Sequence, residues 1–192
     1  MMQTTGYFYE QEYVKIDYSK NPFSPGEYEN CIFDNCNFSK LKVIECVFIN
    51  CEFNNSNLNG CNISGSVFRD VIFNNCNLTN LQFNECNQLL LSFKFHQCIL
   101  NRSSFYNMNL RNTQFSKCEM IETDFGKSDL SGSTFDECEL NKTIFENTNL
   151  SKCDFRKALN YSIDPENNKI AKAKFSFVGL SGLLNKYDIE IE

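Results

Sequence analysis

Eleven cysteines are the residues of this sequence with the widest chemical range, since thiols bind metals, form disulfides and act as nucleophiles. Their number is odd and no two of them form a CxxC pair. Neighbouring cysteines are separated by multiples of five positions, with a single exception between Cys86 and Cys98. Such spacing indicates a structural repeat in which a free cysteine serves as a small buried apolar side chain. We therefore expect no disulfide, no metal and no cofactor.

The other candidates for catalysis are equally sparse. His96 is the single histidine, and no nucleophile motif surrounds it. The fragment GKS at Gly126–Ser128 resembles the end of a phosphate-binding loop, but Ile121 stands where that loop requires its first glycine. The sequence therefore predicts a protein that is not an enzyme.

An apolar residue at every fifth position organises most of the chain. The segment from Asp124 to Phe155 shows it most clearly, and neither an α-helix nor an ordinary strand has this period. Two blocks carry the pattern, residues 31–87 and 96–158, and their phases differ by two residues across a break at 88–95. All the cysteines lie two residues before a repeat centre, where the other residues are mostly Ser or Thr. A small side chain there and a large one at the centre predict a packed core that includes nine phenylalanines: Phe33, Phe53, Phe73, Phe105, Phe115, Phe125, Phe135, Phe145 and Phe155.

The units CNF, SNLNG, CNLTN, SDLSG and TNLSK resemble those of pentapeptide-repeat proteins, over about two thirds of the chain. This resemblance implies an all-β fold, a right-handed quadrilateral β-helix with four pentapeptides in each square coil. Side chains four pentapeptides apart should then stack at about 4.8 Å. The sequence predicts charge columns at Arg102, Glu122 and Lys142 and at Lys117, Glu137 and Lys157. It also predicts an asparagine column (Asn37, Asn57, Asn77), a like-charged pair of Glu119 and Glu139, and ring columns comprising Phe33, Phe53, Phe73 and Phe93, and Phe105, Phe125 and Phe145.

The two ends of the chain are expected to cap the solenoid, because a bare end exposes strand edges and core rings. Residues 1–30 lack an evident five-residue period and predict an N-terminal cap. Residues 159–192 predict a C-terminal cap with a last repeat-like unit at 173–177, a short helix within Val178–Tyr187 and a strand-like tail at 188–192. In many pentapeptide-repeat proteins this end forms a two-fold dimer. The corresponding dimer residues here would be Phe177, Leu180, Leu183 and Leu184.

Charge and hydropathy limit the possible partners. The chain has a net charge of −6, and its most acidic zone, Glu119 to Glu146, has eight acids against two bases. We expect no direct nucleic-acid partner. Neither an 18-residue apolar run nor a signal-like start is present, so we expect no membrane partner and a cytoplasmic location.

Several segments are similar to the quinolone-resistance (Qnr) group of this family, which protects DNA gyrase and topoisomerase IV. They are GEYENCIFDNCNFS at 26–39, ECNQLLLSFKFHQC at 85–98, SSFYNMNL at 103–110 and the Ala-Lys-Phe ending before a Leu-rich segment. Acidic rods of this family are thought to imitate DNA, and the partner-binding candidates are Glu119, Asp124, Asp129 and Glu139. Many Qnr proteins carry projecting loops between coils, whereas these repeats run without them. The resemblance therefore supports topoisomerase binding more than drug protection. The alternative is a scaffold for another protein, since residues 31–158 carry a net charge of only −2.

Overall fold

The structure is a computed structural model that describes residues 6–187, 189 and 190. The chain winds as a right-handed parallel β-solenoid with four pentapeptides in each coil, which confirms the predicted fold class. Strands of successive coils pair in register four pentapeptides apart, as Phe33 does with Phe53. Each coil therefore donates and accepts backbone hydrogen bonds along the axis of the rod.

Two faces of the solenoid contain the regular strands of the described chain. One face carries β1 (Gly6–Tyr9), β3 (Gly26–Glu29), β5 (Val47–Ile49) and β7 (Val67–Arg69). The next carries β2 (Glu12–Val14), β4 (Ile32–Asp34), β6 (Glu52–Asn54), β8 (Val71–Asn74), β9 (Phe93–His96), β10 (Gln114–Ser116) and β11 (Thr134–Asp136). Elsewhere the coils are joined by single bridges. Short 3₁₀ helices cover Phe83–Glu85, Val178–Leu183 and Asn185–Tyr187.

Four columns of inward side chains define the four faces, which we number in chain order. Each step of one pentapeptide moves the chain to the next face, so faces 1 and 3 are opposite, as are faces 2 and 4. The column of face 1 is Phe8, Tyr28, Phe48, Phe68, Leu110, Leu130, Leu150 and Ile170. That of face 2 is Tyr13, Phe33, Phe53, Phe73, Phe95, Phe115, Phe135, Phe155 and Phe175. That of face 3 is Tyr18, Phe38, Leu58, Leu78, Leu100, Met120 and Leu140. That of face 4 is Phe23, Val43, Ile63, Phe83, Phe105, Phe125 and Phe145.

The core is built from these columns and from the small residues that precede them. The nine phenylalanines expected there are all buried, at 7% exposure or less. Most Ser and Thr hydroxyls two residues before a centre donate to a carbonyl of the preceding coil, as Thr123 does to Leu100 at 2.8 Å and Ser66 to Val43 at 2.7 Å. Ser103 and Ser128 donate instead to the carbonyl three residues earlier. These small buried side chains thereby satisfy polar groups that the square corners would otherwise leave unpaired.

Left-handed backbone recurs two residues after most centres and turns each corner. Asn55 has φ 51° and Asn75 has φ 52°. Asparagine adopts this conformation more readily than most residues, because its short polar side chain forms local hydrogen bonds. This preference explains the many asparagines at the corners of the first block.

The break at 88–95 is an insertion of two residues into one coil. Val67 still pairs with Asn87 in the regular register, but Val71 pairs with Phe93, two positions later than that register requires. The extra residues leave the wall as an exposed turn, in which Leu90 has φ 58°. Phe93 then enters the core beside Phe68, with ring centroids 5.6 Å apart. It fills the place that a repeat centre would occupy on face 1.

This insertion changes one predicted column. We expected Phe93 to follow Phe73, but Phe95 does so, with parallel rings 5.4 Å apart. The prediction was wrong because it counted four regular pentapeptides across the coil that contains the insertion. The column of Phe105, Phe125 and Phe145 is stacked at 5.0 Å and 5.6 Å.

The N-terminal segment contains a coil of the solenoid. β1 pairs with β3 in the regular register, and Phe8, Tyr13, Tyr18, Phe23 and Tyr28 continue the column spacing. The expectation that residues 1–30 lack the five-residue period is therefore wrong for residues 6–30. The period was hidden because tyrosines hold three of the five centres and no cysteine precedes them. Residues 1–5 of the expected cap lie outside the described residues.

The C-terminal segment folds back over the end of the rod. Phe175 stacks on Phe155 at 5.4 Å, so the unit at 173–177 does continue the repeat. The helix expected within Val178–Tyr187 consists of two 3₁₀ helices rather than one α-helix. The Ile163 N–H donates to the Gly182 carbonyl at 2.9 Å and joins this segment to the last coil. The strand-like tail falls partly outside the described residues, since 188, 191 and 192 are not among them, and Ile189 and Glu190 form no strand.

Ion pairs connect this segment to the last coil. Lys186 lies 2.7 Å from Asp164 and 2.6 Å from Glu166. The hydrogen bonds from Lys186 lower the pKa of both carboxyl groups.

The predicted charge columns are also present, because Glu122 lies between Arg102 (3.0 Å) and Lys142 (3.9 Å). Lys117, Glu137 and Lys157 form the second column, with separations of 4.0 Å and 3.7 Å.

The buried thiols lead to a prediction about their reactivity. All 11 cysteines are free and buried, and burial raises the pKa of Cys51, Cys61 and Cys153 to about 12. Because the thiolate is the reactive form, a disulfide reagent should label none of them within minutes in the native protein, at pH 7 or at pH 9. Denaturation should release 11 reactive thiols per chain. Rapid labelling of the native protein would contradict this description of the core.

Candidate acidic binding surface

Glu119 and Glu139 lie on face 3, in successive coils and directly paired along the axis. Both are half-buried, and different amides bind them. The Asn101 side chain donates to Glu119, and the Asn160 side chain donates to Glu139 at 2.7 Å. The sequence predicted this like-charged pair. Because each carboxylate has its own amide partner, the two can stay stacked on face 3.

Asp124 lies on face 4, one corner beyond Glu119. Its Oδ1 accepts the Gly126 N–H at 2.8 Å, which fixes the local turn. Glu146 lies on the same face, one coil further along, and is exposed. Lys127, a base on this face, is 5.3 Å from the ring centre of Tyr106 and forms an ion pair with neither carboxylate. In these two coils, face 4 therefore presents two carboxylates, Asp124 and Glu146, without an ion-pair partner among the described residues.

Asp129 occupies a different surface from the other three predicted residues. It belongs to face 1, which is opposite face 3, because two pentapeptides after Glu119 are two steps around the square. Arg111 pairs with it at 2.7 Å, and Asn149 donates to it at 3.0 Å. Burial tends to raise the pKa of Asp129, but hydrogen bonds from Ser131, Arg111 and Asn149 outweigh it and hold the pKa below its usual value. The charge of Asp129 is thus neutralised by its neighbours on face 1.

Within residues 96–158, four carboxylates on the adjacent faces 3 and 4 have no ion-pair partner among the described residues, and we call them the acidic edge: Glu119, Asp124, Glu139 and Glu146. Sequence reasoning selected the first three and passed over Glu146. The signal was available, since Glu146 follows Phe145 directly and so shares its face with Asp124. Glu122 lies at the corner between these two faces but is paired with Arg102 and Lys142.

The four expected dimer residues divide into two groups. Phe177 is 90% exposed and Leu180 is 41% exposed, whereas Leu183 packs against the core and Leu184 is half-buried. Val178, which sequence reasoning passed over, is 88% exposed beside Phe177. The C-terminal end therefore presents an apolar surface of Phe177, Val178 and Leu180.

The remaining candidates for chemistry are isolated. His96 is exposed on face 2, between Asn74 and Ser116 of the neighbouring coils. Among residues 6–187, 189 and 190, no three His, Cys, Asp or Glu side chains are grouped so that they could hold a metal ion. Within the same part of the chain, none of the helices has the length and hydropathy needed to cross a bilayer.

Two family models match the repeat region. One, described as a pentapeptide repeat region, matches residues 66–145, and another, described as pentapeptide repeats in eight copies, matches residues 31–70. Together they cover more than half of the chain. The chain belongs to the pentapeptide-repeat family. No curated protein sequence matches it.

Solved structures share the architecture. Two trypsin-treated variants of QnrB1, described as a plasmid-mediated fluoroquinolone resistance protein, superpose with TM-scores of 0.64 and 0.63. The first is 18% identical and covers 97% of this chain and 100% of its own, and the second is 16% identical and covers 98% and 99%. At these identities the likeness shows a common fold.

Proposed function

We propose that this pentapeptide-repeat rod is a non-catalytic, cytoplasmic binding protein that engages a type II topoisomerase, DNA gyrase or topoisomerase IV, as a partial DNA mimic and so modulates quinolone sensitivity. The observation that carries this proposal is the acidic edge, where four carboxylates in two successive coils have no ion-pair partner among the described residues. The description of QnrB1 as a fluoroquinolone resistance protein and the segments that resemble the Qnr group give the partner class.

The local charge density of the acidic edge is comparable with that of DNA. Glu119 and Asp124 belong to one coil, and Glu139 and Glu146 belong to the next. Two carboxylates per coil rise of about 4.8 Å are one charge per ~2.4 Å, whereas duplex DNA carries one per about 1.7 Å. The net charge of the repeat region hides this density, because paired charges elsewhere on the rod cancel.

A homodimer is part of the proposal, since it would double the length of the rod. The apolar surface of Phe177, Val178 and Leu180 is the candidate interface, and a two-fold axis would place it against its own copy. An apolar surface at the end of a solenoid otherwise remains in water.

Substitution at the apolar end should separate the dimer. We expect Phe177→Glu with Val178→Glu to sediment as a monomer at concentrations where the wild type is a dimer, because two charges would face each other across the axis. Leu89→Glu with Leu90→Glu is the matched control, since those side chains are also exposed, at 69% and 63%, in the turn at the break. A wild type that sediments as a monomer, or a control that dissociates as readily, would contradict the assignment.

The rod could instead be a scaffold for an unidentified protein without a topoisomerase role. The observation that favours this alternative is the pairing of many surface charges, as in the columns around Glu122 and Glu137. The two functions differ in salt dependence, because a mimic held by unpaired carboxylates should lose affinity steeply as salt rises.

The direct test is binding to purified gyrase holoenzyme, measured by titration at low and physiological salt, with and without competing duplex DNA. The proposal predicts saturable binding that weakens with salt and is displaced by DNA. Absence of binding, or binding that DNA does not displace, would exclude mimicry.

A further inference from the structure

Charge is segregated around the second half of the rod. Between residues 93 and 176, faces 1 and 2 hold nine bases: Lys94, Arg111, Lys117, Lys152, Arg156, Lys157, Lys169, Lys172 and Lys174. They hold four acids: Asp129, Asp136, Glu137 and Asp154. Over the same range, faces 3 and 4 hold three bases and seven acids: Arg102, Lys127, Lys142, Glu119, Glu122, Asp124, Glu139, Glu146, Asp164 and Glu166. The side of the rod opposite the acidic edge is therefore basic.

Half of the 12 bases in this range are neutralised by ion pairs, and most of the others cluster. Six of them have a carboxylate within 4.0 Å: Arg102, Arg111, Lys117, Lys142, Arg156 and Lys157. Lys127 lies over the Tyr106 ring. Like Lys127, the remaining five have no carboxylate within 4.0 Å among the residues that the structure describes: Lys94, Lys152, Lys169, Lys172 and Lys174. All five are exposed and on faces 1 and 2, and four of them lie in the last two coils.

These four side chains follow one corner of the square, which we call the lysine edge: Lys152, Lys169, Lys172 and Lys174. Lys152 and Lys172 occupy the corner between faces 1 and 2 in successive coils, with φ 61° and 60°. Lys169 stands on face 1 beside Asn149, and Lys174 on face 2 beside Asp154. Arg156 binds Asp154 bidentately at 2.7 Å and 3.0 Å, so this carboxylate is already paired.

We propose that the lysine edge binds the sugar–phosphate backbone of a nucleic acid duplex, independently of base sequence. Lysines that lack carboxylate partners are available for phosphates, and binding releases condensed counterions. The surface residues beside the lysines are Asn149, Ser151, Ala171 and Asp154, whose carboxylate Arg156 already pairs. Protein interface cores are enriched in aromatic residues and depleted of lysine, whereas phosphate contacts come from Lys, Asn and Ser side chains. The composition of the lysine edge fits a phosphate backbone better than a protein partner.

The inference differs from the expectation drawn from composition. A net charge of −6 suggests no nucleic-acid partner, but a total does not show that the acids and bases are on opposite sides of the rod. It is also independent of topoisomerase binding, because the lysine edge and the acidic edge are on opposite sides of the rod.

The test is fluorescence anisotropy of a short labelled DNA duplex of arbitrary sequence, titrated with the full chain between ~50 and ~200 mM salt. Four phosphate contacts predict a slope of log affinity against log salt near −3.6, so the affinity should fall by roughly 100-fold over that range. The variant that combines Lys152→Gln, Lys169→Gln, Lys172→Gln and Lys174→Gln should lose at least tenfold in affinity at low salt and most of the salt slope. The control combines Lys15→Gln, Lys40→Gln, Lys42→Gln and Lys127→Gln, which change four exposed lysines elsewhere on the rod that have no ion pair among the described residues.

The control has the same net charge as the test variant, so equal losses in both would overturn the proposal and indicate only a general charge effect. Absence of wild-type binding at low salt would also overturn it. So would binding to anionic lipid vesicles without binding to the duplex. Both variants change exposed side chains only, and circular dichroism at matched concentration verifies that they fold. An RNA duplex bound with a similar slope would support recognition of the phosphate backbone.

Discussion

Replacement of Phe115 by alanine should destabilise the rod more than any other single core change considered. Phe115 is fully buried between Phe95 and Phe135, with parallel rings at 5.2 Å and 5.1 Å, and it contacts Phe105 and Phe125 edge-on. Removal of a buried phenylalanine ring costs about 3–5 kcal/mol in free energy of unfolding. Each coil contacts only its neighbours, so the cavity weakens the interfaces with both and should divide the unfolding into two transitions.

The measurement is urea denaturation followed by circular dichroism. Phe115→Leu should cost less, about 1.5 kcal/mol, because leucine already occupies centres such as Leu100 and Leu110. Ile144→Ala serves as the surface control, since Ile144 is 46% exposed, and should change stability by about 0.5 kcal/mol or less. If Phe115→Ala destabilised the protein no more than Ile144→Ala, the placement of Phe115 in a continuous, buried aromatic column would be contradicted.

Neutralisation of the acidic edge should abolish most topoisomerase binding. The variant combines Glu119→Gln, Asp124→Asn, Glu139→Gln and Glu146→Gln, and the amides preserve acceptors such as the one that binds the Gly126 N–H. With about 0.7 kcal/mol for each of four surface ion pairs, the affinity for gyrase should fall roughly 100-fold. Titration of gyrase holoenzyme with each variant measures the loss directly.

A matched control distinguishes position from total charge. Glu10, Glu12, Glu27 and Glu52 lie on faces 1 and 2 or on the corner between them, form no ion pair with another described residue, and can be changed to Gln with the same change in net charge. Binding by the control should remain within about threefold of wild type, since these residues are distant from the acidic edge. Equal losses in both variants would exclude a localised site.

Asp129→Asn should leave the affinity for gyrase unchanged, because Asp129 faces the opposite side of the rod and pairs with Arg111.

Sequence reasoning reached the fold through one pattern. A small residue two positions before a large apolar one, repeated at every fifth position, predicted a packed repeat structure, and the resemblance to pentapeptide-repeat proteins implied the square coil. The buried cysteines and the Phe105–Phe125–Phe145 column follow from that rule. The rule missed residues 6–30 because Tyr13, Tyr18 and Tyr28 are less distinctive as core residues than phenylalanine.

The surface was harder to predict than the core. The placement of Glu119 and Asp129 on opposite faces can be deduced from the sequence, since a separation of two pentapeptides corresponds to two faces, but each acid must first be assigned to a face. The entry of Phe93 into the core cannot be deduced in this way, because the two inserted residues could project from the solenoid at several points. Ion pairs such as Arg111 with Asp129 depend on rotamers that periodicity does not determine. The acidic edge and the lysine edge therefore emerge only once neutralised charges are separated from unpaired ones.

The most direct test of topoisomerase engagement is a gyrase supercoiling assay, titrated with this protein in the presence and absence of a fluoroquinolone. We predict that the wild type slows supercoiling without the drug, because the acidic edge competes with DNA, and that the neutralised acidic-edge variant does not. Restored supercoiling in the presence of the drug would add protection to binding. Unchanged supercoiling in both arms, with a protein shown to be folded, would contradict topoisomerase engagement and favour the scaffold function.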